Sequence, residues 1–341
     1  MSKKIGKQTV VLENKPRIIS TYNIVGPKEG EGPLKDYFDR IVTDDMNGQD
    51  SFEKAESSFS YIAIEECLKR ANLTDKDIDY LLAGDLLNQL TASNYAVRDI
   101  NIPFIGLYGA CSTMALSLSV ASMLVDGEFA DKAIAATSSH FSSAERQFRT
   151  PLEYGSQKAP TAQRTVTGAG AMILSKTNSK EYPYVTHVTT GKVKDYGETD
   201  PNNMGGAMAP AAVDTIKQHF IDTGRKPNDY DLIITGDLGS FGKKMTQDLL
   251  LEYNYDVSKV YKDCGIEIFD LEKQDVQCGG SGCGCSAVVT TGYVYKNMLK
   301  RKLKRVLLVS TGALMSPTSS LQGESIPGIA HAVAIEIDGG K

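Results

Sequence analysis

Hydrophobic and polar positions along this chain fall into two patterns that alternate. Short runs are apolar at nearly every position: YLLAG (80–84), LIITG (232–236) and RVLLVS (305–310). Such runs predict strands covered by helices on both faces. Longer stretches with helical spacing precede two of them. FSYIAIEECLKRANLT ends near Asn72 and AVDTIKQHFIDTG ends at Gly224. Asn and Gly both tolerate the left-handed conformation that closes a helix. Strands alternating with helices predict an α/β fold with mostly parallel sheets.

The pattern occurs twice. IDYLLAGDL (78–86) matches YDLIITGDL (230–238) at an offset of 152 residues. GACSTMALSLSVASML (109–124) matches GSGCGCSAVVTTGYVY (280–295), each opening with small residues and continuing as a helix. KAIAATSS (132–139) matches RVLLVSTG (305–312), and TGAGAMILS (167–175) matches GIAHAVAIE (328–336), which pairs Gly170 with His331. Four matches in one order predict a duplicated chain. The halves are expected at 1–180 and 181–341, packed about a pseudo-twofold axis. Sites are then expected where strand ends and helix N-termini converge.

Charge and composition narrow the function. The 341 residues hold 37 Lys+Arg against 42 Asp+Glu, a net charge of −5. That balance argues against broad nucleic-acid binding. The best apolar stretch, 115–125, is short and carries three serines, whereas a bilayer span needs about 20 apolar residues. The start, MSKKIGKQTVV, lacks an apolar signal region. The six cysteines are therefore expected as reduced thiols in a cytoplasm-like compartment.

Cys111 is the foremost candidate for chemistry. It lies between small residues just before a helical pattern, where the helix dipole lowers a thiol pKa. It reads either as a nucleophile or as a small buried packing residue. The same helix start offers free N–H groups to an anion, with Ser112 and Thr113 adding hydroxyl donors. From Ser138 onward the chain carries Arg146, Arg149, Lys158 and Arg164 without long apolar runs, which predicts a long loop. Arg149 or Arg164 then suits a carboxylate, while the alternative is surface pairing with Glu145 and Glu153. His140 follows a strand. His331 matches a glycine in the other half and is expected to face a cavity. His187 and His219 read as ordinary strand and helix-surface residues. CGGSGCGCS (278–286) lacks a zinc spacing and fits close backbone packing between halves better. KNMLKRKLKR (296–305) reads as a solvated face, or as a contact for an anionic membrane or acidic partner.

The duplicated halves with a cysteine opening the central helix of the first resemble the thiolase and ketoacyl-synthase superfamily. YGACSTM (108–114), SSHF (138–141), ERQFRTPLEYG (145–155), PTAQRTVTGAGA (160–171), STGALMSPTS (310–319) and IPGIAHAV (326–333) resemble, more closely, a sporulation family within it. The resemblance implies a thiolase-like fold. It also implies non-enzymatic binding of pyridine-2,6-dicarboxylate (dipicolinic acid), with calcium, for uptake into the developing spore. No cofactor is implied. The protein would lie on the cytoplasmic side, peripheral to the inner spore membrane, beside integral membrane partners of the same operon. Superfamily members are commonly homodimers.

The condensing enzymes carry a cysteine with two further groups, His-His or His-Asn. Here the second-half strand leads into Gly236 and Asp237, and the glycine turn offers Gly279 and Gly280, so only Cys111 carries over. The expected ligand site is Cys111, Ser112, Thr113, His140, Arg149, Arg164 and His331, with Tyr108, Phe141 or Phe148 against the ring. The alternative is an acyl-transferring enzyme that uses Cys111.

Overall fold

The structure is a computed structural model that describes residues 3–148 and 158–339. Arg149 and Glu153 lie outside the described residues.

Besides the short strands Lys4–Ile5, Thr9–Val11 and Arg40–Ile41, the first half has β1 (Arg17–Val25), β2 (Tyr80–Gly84), β3 (Phe104–Gly106), β4 (Lys132–Ser139), the short β5 (Arg164–Thr165) and β6 (Gly168–Ser175). The second half supplies β7 (Tyr184–Thr189), β8 (Leu232–Thr235), β9 (Tyr261–Asp263), the short β10 (Gly280–Ser281), β11 (Arg305–Ala313) and β12 (Gly328–Glu336). Hydrogen bonding runs in the order β9-β8-β11-β12-β7-β1-β6-β4-β2-β3. Read outward from the junction, with the short β5 and β10 set aside, both halves have the same order: first strand, fifth, fourth, second, third. The duplication is thus visible in topology. β2 pairs in parallel with β3 and β4, and β8 with β9 and β11. β6 and β12 run antiparallel to both their neighbours, so each half-sheet is mixed.

β7 and β1 share Tyr184↔Arg17 alone, but the short first-half strand Thr9–Val11 also pairs with β7, Thr9 opposite Thr189 and Val11 opposite His187. Packing joins the halves as well. Helix α1 (Phe52–Arg70) covers the outer face of β1, β6 and β4. Ser51 caps its start and Asn72, at φ 53°, closes its end. Helix α2 (Thr113–Asp126) lies in the middle, against β4 and β2 of its own half and β11 and β12 of the other. Helix α3 (Phe141–Phe148) fills the start of the stretch expected as loop. The Phe141 N–H donates to Thr167 Oγ1, which anchors its first turn.

In the second half α4 (Met204–Thr223) covers β11 and β12 and ends at Gly224, at φ 71°. Helix α5 (Gly239–Glu252) follows β8. Helix α6 (Cys283–Val289) continues through a wider turn into Tyr295–Leu299 and is the mate of α2, packing on β4 and β6. One apolar core therefore draws on both halves, with Met114 and Leu118 of α2, Leu174 of β6, Val288 of α6 and Val333 of β12 buried together.

The glycine-rich run lies at this junction. β10 pairs in parallel with β5, Gly280 opposite Arg164 and Ser281 opposite Thr165. The basic run is not one helix face. Its helix ends at Leu299, Lys296 pairs with Asp39, Arg305 pairs with Glu336, and Arg301 donates to backbone carbonyls. Among the described residues, no helix is long and apolar enough to cross a membrane.

Candidate functional site

The site forms where the first turns of the two central helices meet. Ala110 takes a left-handed φ of 49°, a conformation that costs a non-glycine residue energy and turns the chain sharply into Cys111. The turn is tied internally. The Ser112 hydroxyl donates to Gly109 O at 2.6 Å, and the Thr113 hydroxyl donates to Ala110 O at 2.6 Å. Both side chains are fully buried. Their hydroxyls hold the turn and do not line the cleft, which corrects the expectation that they face a ligand.

The Cys111 sulfur does line it. The thiol faces the Asp237 carboxylate and the Gly282 N–H. Burial, the Asp237 charge and the nearby Cys283 push the thiol well above its ordinary pKa. This reverses the expectation of a thiol lowered by the helix dipole: the desolvation of a buried thiolate and an adjacent carboxylate outweigh a terminal dipole. Cys283 opens α6 as Cys111 precedes α2. The two cysteines share a small apolar cluster with Leu86 and Ala144.

The cleft over the sulfur is a slot of about 430 Å³, its open mouth included. Tyr108, Phe148, Leu86, Met204 and Met315 make apolar walls, Thr165 and Ser281 add hydroxyls, and Glu145 is the charged residue among the described lining. Lys158 stands 3.8 Å from Glu145.

Asp237 lies behind the lining, bonded to Ser281. Its Oδ1 accepts from Thr311 Oγ1 at 2.8 Å, and its Oδ2 accepts from Gly282 N–H at 2.9 Å and Ser281 Oγ at 3.3 Å. Burial lifts its pKa to about 6. Behind it, Asp263 accepts from Thr235 Oγ1 and from the N–H groups of Leu238 and Gly239, which fixes the turn carrying Asp237.

The other expected residues lie elsewhere. His140 is fully buried: its Nε2 bonds Asp45 O at 2.9 Å, and its Nδ1 accepts from Ser142 N–H at 3.1 Å. With both ring nitrogens used, it is a neutral structural histidine. His331 accepts from Gly191 N–H at 3.3 Å through Nδ1, and burial lowers its pKa to about 4. It occupies the position of Gly170, where a Cβ would meet the Ala287 backbone at 2.9 Å because α6 rests there. Neither histidine lines the cleft. Arg164 lies 3.7 Å above the Phe141 ring, while its neighbour Thr165 lines the cleft. Alternation along β5 turns the two side chains to opposite faces. Phe141 is thereby engaged with Arg164 rather than with the slot. His219 is not on a helix surface: it is buried between Thr189 Oγ1 and Tyr230 OH.

Sequence reasoning missed Thr165, Ser281, Met204 and Met315. Ser281 had a visible signal, the glycine-rich run around it. Asp237 had another, as the repeat mate of Asp85, whose buried carboxylate accepts from Leu87 and Ser93 N–H.

The sheet order and paired central helices define a thiolase-like fold. The chain superposes on 3-oxoacyl-[acyl-carrier-protein] synthase III from Aquifex aeolicus VF5 with a TM-score of 0.57 at 14% identity, covering 94% of this chain and 99% of that one. It superposes on cerulenin-bound OleA of Xanthomonas campestris with a TM-score of 0.61 at 14% identity over 99% of both chains. The fold thus resembles that of condensing enzymes. The family is closer to hand. The family model described as Stage V sporulation protein AD (SpoVAD) matches residues 6–336, and the chain belongs to that family. It is 51% identical over 338 residues to the Stage V sporulation protein AD of Bacillus subtilis (strain 168), covering 99% of each.

Proposed function

We propose that the chain is a non-enzymatic binder of pyridine-2,6-dicarboxylate, taken up with calcium as cargo by the developing spore. It works at the cytoplasmic side of the inner spore membrane beside integral membrane proteins of the same operon. The observation that carries the non-enzymatic part is the company of the Cys111 sulfur. Its polar partners are an acid and a backbone N–H, and none of the four histidines bonds it. Thioester condensation needs a base for the thiol and donors on the developing oxyanion, and loss of one such donor typically costs about 10²–10³ in rate. A buried carboxylate beside the sulfur opposes that charge.

Membership of a sporulation family and the shape of the slot support the ligand. Tyr108 and Phe148 in the lining supply aromatic faces for a flat ring. Arg149, next in sequence after Phe148, is the cation we assign to a ligand carboxylate. Titration of the pure protein with dipicolinate, with and without calcium and with a pyridine monocarboxylate as control, tests the reading. Saturable binding of the dicarboxylate over the monocarboxylate is expected, and equal or absent binding of both refutes it.

The acyl-transfer alternative draws on the condensing-enzyme fold and the cysteine at the helix start. Incubation with acyl-CoA followed by mass spectrometry separates the two readings. Stable acylation of Cys111 without dicarboxylate binding favours the enzyme.

A further inference from the structure

Behind the lining of the slot lies a buried acid with three donors turned toward it. Thr311 Oγ1, Gly282 N–H and Ser281 Oγ donate to Asp237, and the Cys111 thiol faces it, an arrangement that suits an ionised, acceptor-only carboxylate. Ser281 and Cys111 also line the slot. While Asp237 is ionised, their hydrogens are directed into the protein and they offer a ligand only lone pairs. Glu145, the charged residue among the described lining, is offset by Lys158 at 3.8 Å. In this state the ionised Asp237 disfavours an anion beside it.

We propose that a dianionic ligand entering this slot takes up one proton from solvent at Asp237, and that the protonated acid releases the Ser281 hydroxyl and the Cys111 thiol to donate to the ligand. The inference rests on the dicarboxylate reading above. No covalent bond changes except at the proton, which passes from buffer to one Asp237 oxygen. Thr311 and Gly282 keep their bonds and hold the carboxyl in place.

The surroundings of Asp237 favour this transfer. Among the described residues, the titratable groups packed around it are Cys111 before α2, Cys283 and Cys285 on α6, Cys264 just after β9, and Asp263 at the end of β9. None is a cation. Burial keeps the four thiols neutral, and Asp263 is itself lifted to about 7. Asp237, at about 6 without ligand, is close to protonation at neutral pH, and a second negative charge a few ångströms away raises it further.

The test is calorimetric titration of the full chain with dipicolinate at pH 6, 7 and 8, each in two buffers with different heats of ionisation. Carboxyls of ordinary pKa near 4 are ionised throughout this range, so the ligand contributes no protons. Close to one proton is expected to be taken up per ligand at pH 7, with affinity falling up to about tenfold per pH unit between 6 and 8. Asp237→Asn is expected to bind without proton uptake and with a flat pH profile. Binding by the unchanged chain with no proton uptake overturns the inference and leaves the dicarboxylate reading standing. Uptake that persists in a folded Asp237→Asn variant also overturns it. No binding at any pH overturns both. The proton count of the unchanged chain decides the matter even if the variant fails to fold.

Discussion

Gly312→Ala probes how the second half supports the cysteine of the first. Gly312 lies on β11 against the turn that presents Cys111. A Cβ there would stand 2.4 Å from Gly109 O, 3.1 Å from Ser112 N and 3.3 Å from Cys111 N. Carbon–oxygen contacts settle near 3.3 Å, so strand or turn must retreat by about 1 Å. Neither yields easily. Gly109 O accepts from both the Ser112 N–H and the Ser112 hydroxyl, and Gly312 pairs with Ile329 across the β11–β12 ladder. Overpacking of this kind costs about 1–3 kcal/mol. At about 1.4 °C per kcal/mol for 341 residues, the melting temperature should fall by roughly 1–4 °C. The damage should also be local. Cys111 is 5% exposed, and a displaced turn opens it, so its labelling by a thiol reagent should quicken well before global unfolding. Gly224→Ala is the comparison. Gly224 has φ 71° with open space around it, so it should cost about 1 kcal/mol in backbone strain and leave Cys111 labelling unchanged. A Gly312→Ala protein that melts within 1 °C of the unchanged chain, with Cys111 equally protected, would refute the claim that this contact fixes the site.

Three further outcomes are expected. Because its thiol pKa is raised, Cys111 should react with iodoacetamide at pH 8 more slowly than a free cysteine, and Cys111→Ser should keep most dicarboxylate affinity; fast labelling would contradict the first point and complete loss of binding in a folded variant the second. Arg149→Ala should weaken dipicolinate binding at least tenfold, whereas Arg164→Ala should mainly lower stability, by about 1 kcal/mol through loss of its contact with Phe141; calorimetry and thermal melting of both variants check this, and the reverse pattern would refute the assignment. Glu29 is buried with Oε1 accepting from Thr167 N–H and Oε2 unpartnered, and burial lifts its pKa to about 7. A carboxyl raised in the fold binds more protons folded than unfolded, so its contribution is complete below the unfolded value near 4.3 and is lost as pH climbs to about 7, at up to about 1.4 kcal/mol per unit. Glu29→Gln should therefore lose less stability than the unchanged chain between pH 5 and pH 8 in urea unfolding, and parallel curves would count against the burial argument.

The histidines have the opposite sign. His331 and His187, lowered to about 4, and His219, lowered to about 3, lend stability above the unfolded value near 6.5 that is lost as pH falls toward those values. Between about pH 4 and 7 the acids and the histidines therefore pull against each other, and removing either set tilts the profile toward the other.

The sequence by itself determined what depends on near neighbours. Apolar runs at strand length, the Asn72 and Gly224 closures and the repeated Gly-Asp-Leu placed the strands and helices, because periodicity and capping act over a few residues. Repetition of those signals then exposed the duplication, down to Gly170 and His331 as mates. Tertiary structure decided which groups meet. Asp237 reaches Cys111 from the other half, Asp45 occupies the ring of His140 from 95 residues away, and one step along β5 separates Thr165 in the slot from Arg164 outside it. The pKa of Cys111 followed the same rule: a helix start is written locally, but the burial and the facing carboxylate that override its dipole exist only once the two halves have packed.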